Sequence, residues 1–242
     1  MTSAAPGGER DVPPAASGRV PEPGPAPVPA AVAPMPDDLR RVAEAAPGFM
    51  PPAEGQALYQ AAAHYAGLGP VLEVGSYCGK SAVYLAAAVW RHGQPVITVD
   101  HHRGSEENQP GWEYHDPALT GPDGRLDTLP HLRATLARGG LEDTVIAVVG
   151  RSAQVARLWG RPLGMVFIDG GHTDAAAQAD YESWAPWVTP GGALALHDVF
   201  PDPAGGGQAP FRVYRRALAS GVFTEVSVTG SLRILRRDGP GI

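Results

Sequence analysis

Cysteine occurs once in the 242 residues, at Cys78. One thiol cannot close an intramolecular disulfide, nor build a cysteine-based zinc site. Cys78 lies in a glycine-bearing turn, where burial as a small apolar residue competes with a role as nucleophile. No apolar run reaches the roughly 18–20 residues of a membrane span. The N-terminus lacks a basic start followed by a hydrophobic stretch, so no secretory signal is read. A basic stripe is missing too. The formal charge is −6, and the nearest thing to a basic cluster, Arg233, Arg236 and Arg237, reads as a solvated strand end. Nucleic acid and membrane are thereby set aside as partners. A cytoplasmic enzyme acting on a small molecule is the expectation.

What is present divides into two parts. Residues 1–36 carry ten prolines among alanine, glycine and valine. Proline removes backbone donors, and the small residues offer little to bury, so this stretch reads as a disordered or polyproline-like tail. The remainder, 37–242, has the apolar content of one sizeable core. Asp37-Asp38 can cap a short helix to Ala45, and 53–66 reads as a second helix. The pair 37–66 offers a surface for a homodimer. Strands follow at 70–74, 96–100, 144–149, 164–169 and 192–197. Helices near 80–91, 126–138, 152–159, 173–187 and 209–219 separate or follow them. Two last strands, 222–228 and 231–236, flank the hairpin turn Thr229-Gly230. Strands spaced by helices imply an α/β fold with parallel βαβ units and an antiparallel edge.

The run LEVGSYCGKS, 72–81, is a strand, a glycine turn and a helix start. It ends in GKS but is no phosphate-binding loop. That loop needs four residues between its first glycine and GK[ST], whereas Gly75 and Gly79 enclose only Ser76, Tyr77 and Cys78. Glu73 at the mouth would also repel a triphosphate. A dinucleotide fingerprint fails as well, because Tyr77 stands where a second glycine should admit the pyrophosphate. A ligand without phosphate removes these objections. S-adenosylmethionine carries a cationic methionine end for Glu73 to help orient and ribose hydroxyls for Asp100, at the end of the next strand. Gly150-Arg151-Ser152, after the strand at 144–149, lies where an adenine edge would be met.

At this point the chain resembles the class I S-adenosylmethionine-dependent methyltransferases. LEVGSYCGKSA looks like the glycine turn of the catechol type. IDGGH at 168–172 and LHDV at 196–199 look like the group containing sugar and natural-product O-methyltransferases. The resemblance covers about 50–237. It implies a Rossmann-like, seven-stranded, mostly parallel sheet in the order 3-2-1-4-5-7-6, with helices on both faces. It implies a donor site on Glu73, Gly75, Ser76, Gly79, Ser81, Asp100, His101, Arg151, Ser152 and Asp169.

Methyl transfer to oxygen needs an aligned acceptor with its proton removed or its oxygen bound to a metal. Asp169 ends the strand at 164–169, Gly170-Gly171 turn the chain, and His172 follows three residues after Asp169. Asp198 ends the next strand, so both acids can meet in one crevice beyond the strand ends. The resemblance implies Mg²⁺ on Asp169 and Asp198, with His172 as general base. Two departures stand out. Val199 replaces the asparagine of the catechol pattern, and His197 precedes Asp198 where the sugar-type pattern has paired acids. Other readings of these residues are structural: Asp169 as a helix cap (though Thr173 is better placed), His197 as support for its neighbours, and Asp180 and Tyr181 as helix packing.

Two loops read as recognition elements or lids. One is 101–124, rich in histidine and acids, with Trp112 and Tyr114 able to stack on a ring. The other is 200–210, where Gly205-Gly206-Gly207 suggest a hinge. The function expected is O-methylation of a small-molecule hydroxyl. The alternatives are a metal-independent N-methyltransferase and a non-catalytic binding protein with this fold.

Overall fold

The computed structural model describes residues 32–239. The tail expected at 1–36 lies outside this range up to residue 31. Residues 32–36, grouped with the tail by composition, instead pack on the domain: Met35 is buried, and the Tyr59 hydroxyl donates to the Ala33 carbonyl.

Fourteen regular helices and strands follow in the order α1 (Asp37–Ala45), α2 (Pro52–Tyr65), β1 (Val71–Val74), α3 (Lys80–Val89), β2 (Val96–Asp100), α4 (Leu129–Gly139), β3 (Val145–Val149), α5 (Ser152–Ala156), β4 (Leu163–Ile168), α6 (Asp174–Trp184), β5 (Val188–Leu196), α7 (Ala209–Ala219), β6 (Phe223–Thr229) and β7 (Leu232–Arg237). The strands form one sheet in the order β3-β2-β1-β4-β5-β7-β6, as expected. β1 to β5 are parallel to one another, and β7 runs antiparallel to β5 and β6. All four residues of β1 and all six of β4 are buried, the mark of central strands covered on both faces.

Two apolar layers lie on the two sides of the sheet. One gathers Leu58, Leu85, Leu132 and Phe167 beneath α1–α4. The other gathers Tyr181, Trp184, Leu194 and Val213 beneath α6 and α7. The chain fills one half of the sheet from β1 outward, then returns to β4 beside β1. This reversal opens a crevice beyond the carboxyl ends of β1 and β4, where such sheets bind ligands.

Several local expectations are revised. Asp37 and Asp38 occupy the first turn of α1 rather than its cap, which is Pro36; Asp37 pairs with Arg40 at 2.9 Å. Arg233 and Arg237 are buried rather than solvated, and each donates to backbone carbonyls, Arg233 to Val199 and Arg237 to Pro186. Only Arg236 of that trio is exposed. Gly206 makes room for the ring of Phe200, which lies where its side chain would be, and Gln208 ties the same loop together. α1 and α2 pack on α3 within the domain. Among the described residues no helix is long and apolar enough to cross a membrane.

Candidate active site

A cavity of about 600 Å³ opens at the crevice, within the size range of small-molecule sites. Gly75, Ser76, Ser81, Asp100 and His101 line it from β1, α3 and β2. Arg151 and Ser152 line it from the start of α5, and Asp169, His172 and Asp198 from the ends of β4 and β5. Of the residues expected at the site, Glu73 and Gly79 do not line it.

Glu73 points the other way. Strand alternation turns it toward α3, fully buried, where Oε2 accepts from Thr98 Oγ1 at 2.6 Å and Oε1 has no hydrogen-bond partner. Burial pushes its pKa up to about 7, against the pull of the Ser81 and Thr98 hydroxyls. It underlies the turn and does not line the cavity.

The two glycines serve chain packing. Gly75 has φ +88°, and its missing side chain leaves room for the backbone carbonyl of Asp169, so β1 and β4 close tightly at their ends. Gly79 has φ +90° and makes room for Leu132. Lys80 donates to the carbonyls of Ala43 and Glu44, at 3.1 and 3.2 Å, and so satisfies the C-terminal end of α1. Cys78 is buried and its thiol is pushed up to about 12 by burial, with Asp116 and Asp100 adding to the shift. A thiol held in that form is no nucleophile.

Asp100 is engaged before any ligand arrives. Oδ2 accepts from the backbone amides of Ser76 and Tyr77, both at 3.0 Å, and Oδ1 from the amide of His102 at 2.7 Å. It clamps the glycine turn onto β2. Oδ1, which accepts only once, retains a lone pair for a hydroxyl at the cavity wall. The Ser76 hydroxyl is buried without a partner.

At the far side the acids and histidines converge. Asp169, His172 and Asp198 each present a ligand atom, all within 4.8 Å of one another. Asp198 has φ +54°, a left-handed conformation that aspartate tolerates. Its Oδ2 lies 3.1 Å from His172 Nε2. His172 Nδ1 lies 2.8 Å from Glu107 on the 101–124 loop. His197 supports from behind, with Nδ1 3.1 Å from Asp169 and Nε2 2.6 Å from the buried Glu54 of α2. Glu54 in turn accepts from the amide and hydroxyl of Ser231. Asp169 therefore bonds a histidine, and α6 is capped by Thr173, which accepts from the Ala176 amide.

The electrostatics follow from this crowding. Burial alone would lower His172, but Asp198 and Glu107 raise it to about 10. His197 is likewise raised, by Asp169, Asp198 and Glu54 against burial. Asp198 is held well below the carboxylate range by the two imidazoles, against burial. Four carboxylates face two imidazoles. Even with both rings charged, two negative charges in the group remain uncompensated. That surplus and the two carboxylates suit a divalent cation, with Asp169 and Asp198 as oxygen ligands.

A family model described as a methyltransferase domain matches residues 72–199, more than half of the chain. The chain belongs to this methyltransferase family. Its strand order is the one expected of the class I S-adenosylmethionine-dependent fold. The matched span starts in β1, before the glycine turn, and ends just past Asp198. Solved structures share the fold of this methyltransferase. An O-methyltransferase from Bacillus cereus in complex with SAH is 19% identical, covering 86% of this chain and 94% of that one, with a TM-score of 0.57. The O-methyltransferase TomG from Streptomyces achromogenes, involved in tomaymycin synthesis and solved with SAM, is 18% identical over 86% and 93%, at 0.57. The SAH-bound methyltransferase PaMTH1 from Podospora anserina is 15% identical over 85% and 89%, at 0.58.

Three residues that sequence reasoning passed over take part in the methyltransferase's site: Glu54, Glu107 and Asp180. Glu54 is the only acid in α2, a helix otherwise rich in alanine, and that isolation was its one signal. Glu107 was present only as part of an acidic loop. Asp180 had been read as helix packing, yet it lines the cavity.

Proposed function

We propose that this methyltransferase transfers the methyl group of S-adenosylmethionine to a hydroxyl of a small molecule, with His172 as general base and Asp169 and Asp198 holding Mg²⁺. The observation that carries the reading is the meeting of Asp169, His172 and Asp198 in the cavity that begins at the glycine turn. The naming of TomG and the Bacillus cereus protein as O-methyltransferases supports it.

In this reading the donor's methionine end lies along Gly75, Ser76 and Ser81. Its ribose lies at Asp100 and His101, and its base at Arg151 and Ser152. The sulfonium already activates the methyl group, so the protein's work is alignment and proton removal. Glu107 accepts from Nδ1–H of His172 and fixes the ring, leaving Nε2 to take the acceptor's hydroxyl proton as oxygen bonds to the methyl carbon and the carbon–sulfur bond breaks. When bound, a divalent cation on Asp169 and Asp198 would supply a Lewis acid for the acceptor oxygen and would offset the share of the rise in the His172 pKa that comes from Asp198. Phe49, Tyr77 and Trp112 border the same cavity, and the Phe49 ring lies 5.7 Å from Tyr77 and 5.2 Å from Tyr114. These rings offer stacking faces to a planar acceptor.

Calorimetry with S-adenosylmethionine and S-adenosylhomocysteine tests the donor. Absence of binding by either at about millimolar concentration rejects the reading. His172→Ala is expected to keep donor binding and lose turnover. Thorough chelation is expected to abolish the rate, and a rate that survives it favours a metal-independent transfer to nitrogen.

A further inference from the structure

We infer that Asp180 selects the donor's base, its carboxylate accepting a hydrogen bond from the exocyclic amine of adenine. The inference rests on the donor reading above. Asp180 is 7% exposed, yet it borders the cavity. Among the described residues no lysine, arginine or histidine pairs with it. A buried carboxylate without a cation is costly to maintain, and packing alone gives no reason to keep one.

Its neighbours show which end of the cavity it serves. The Ser152 side chain lies close enough to oppose the effect of burial on it. Ser152 Oγ itself accepts from Trp184 Nε1 at 2.7 Å, which leaves its hydroxyl proton free for another acceptor. On its other flank, Oδ2 packs on the α-carbon of Gly170; a side-chain carbon there would lie 2.6 Å away. The carboxylate is thus wedged between the start of α5 and the end of β4. With the ribose at Asp100, the base is the group that reaches Ser152. Burial pushes the Asp180 pKa up to about 6, with Ser152 opposing and Asp100 adding. A carboxylate in that state is stabilised by an incoming N–H donor.

Adenine offers such a donor at N6. Hypoxanthine has a carbonyl oxygen at that position, which would face the carboxylate acceptor to acceptor. A site built to bond an amine rejects an analogue that leaves its buried polar group unpaired.

Calorimetry of the full chain with S-adenosylhomocysteine and S-inosylhomocysteine tests this. The unaltered protein is expected to bind the adenosyl compound ~10–100-fold more tightly, the scale of one well-made base contact. Asp180→Asn, whose amide can donate to the carbonyl, is expected to shrink that preference to less than ~3-fold, mainly by improving the inosyl compound. Equal binding of both compounds by the unaltered protein overturns the inference while leaving the donor reading intact, and it needs no variant. Equal weakening of both by Asp180→Asn overturns it too, since that is the mark of a structural role. Failure of the unaltered protein to bind either compound removes the donor reading, and this inference with it.

Discussion

Glu54 Oε2 lies 2.6 Å from His197 Nε2, across 143 residues of sequence. Both groups are buried, and the contact joins the first turn of α2 to the end of β5. Behind the acids that face the cavity there is therefore a second, dry layer of charge. Removing one member of such a pair leaves the other buried and uncompensated. Glu54→Ala is expected to cost about 3 kcal/mol, or about 6–12 °C in Tm for a domain of this size. Glu54→Gln, which keeps an acceptor for Ser231, is expected to cost less. Thermal and urea melts check both, and an unchanged Tm for Glu54→Ala would show that the pair carries no stability.

Glu73 makes stability depend on pH. Its pKa is about 7 in the fold, against an ordinary value of 4.5. The folded value of an acid is raised, so folding favours the protonated form. Its contribution is full below about pH 4.5, declines as pH rises toward 7, and stays lost above that. The loss is about 3 kcal/mol. Glu73→Gln is expected to remove this dependence and to be the more stable protein at about pH 8. Urea denaturation of both proteins at about pH 5 and 8 provides the comparison. Parallel pH profiles would mean that Glu73 is ionised in the fold.

The two turn glycines are expected to differ. A side chain at Gly75 meets the fixed backbone of Asp169, whereas one at Gly79 meets the movable tip of Leu132. Both have positive φ, so alanine is strained at either position. Gly75→Ala is expected to cost at least ~1 kcal/mol more than Gly79→Ala. It is also expected to weaken donor binding, because it pushes β1 and β4 apart beneath the ligand. Equal Tm losses for the two variants contradict the close approach.

Glu107 reaches His172 from the 101–124 loop. Glu107→Gln is expected to lower kcat by ~10–100-fold with the donor Kd unchanged. Turnover assays beside calorimetry separate the two effects. If kcat holds, Glu107 is only a tether for the loop.

How far the sequence was legible depended on the distance over which each feature is decided. The strand after Pro70, the glycine turn and the placement of Asp100, Asp169 and Asp198 at strand ends follow from local pattern, and all three acids stand at the cavity. Thr173 as cap and Gly230 in the hairpin were read for the same reason. Glu73 was misjudged because strand alternation on a fully buried strand leaves no polar face to reveal its direction. Arg233 and Arg237 were misjudged because some of their carbonyl partners, Val199 and Pro186, come from segments far off in the chain.

The sequence alone therefore determined the α/β architecture and the ends of the strands at which chemistry gathers, because helix and strand periods and glycine turns act over a few residues. It also determined, through Asp169, Gly170, Gly171 and His172, that an acid and a histidine share one turn. Only the tertiary structure decided which carboxylates surround that histidine. Glu54, Glu107 and Asp198 come from a helix, a loop and a strand end that are brought together by packing on the two faces of the sheet. Their mutual electrostatics depend on distances of about 3 Å, which no spacing along the chain encodes. The same holds for Asp180. The sequence reads it as helix packing, and only the approach of Ser152 and Gly170 sets it as a buried carboxylate at the cavity wall.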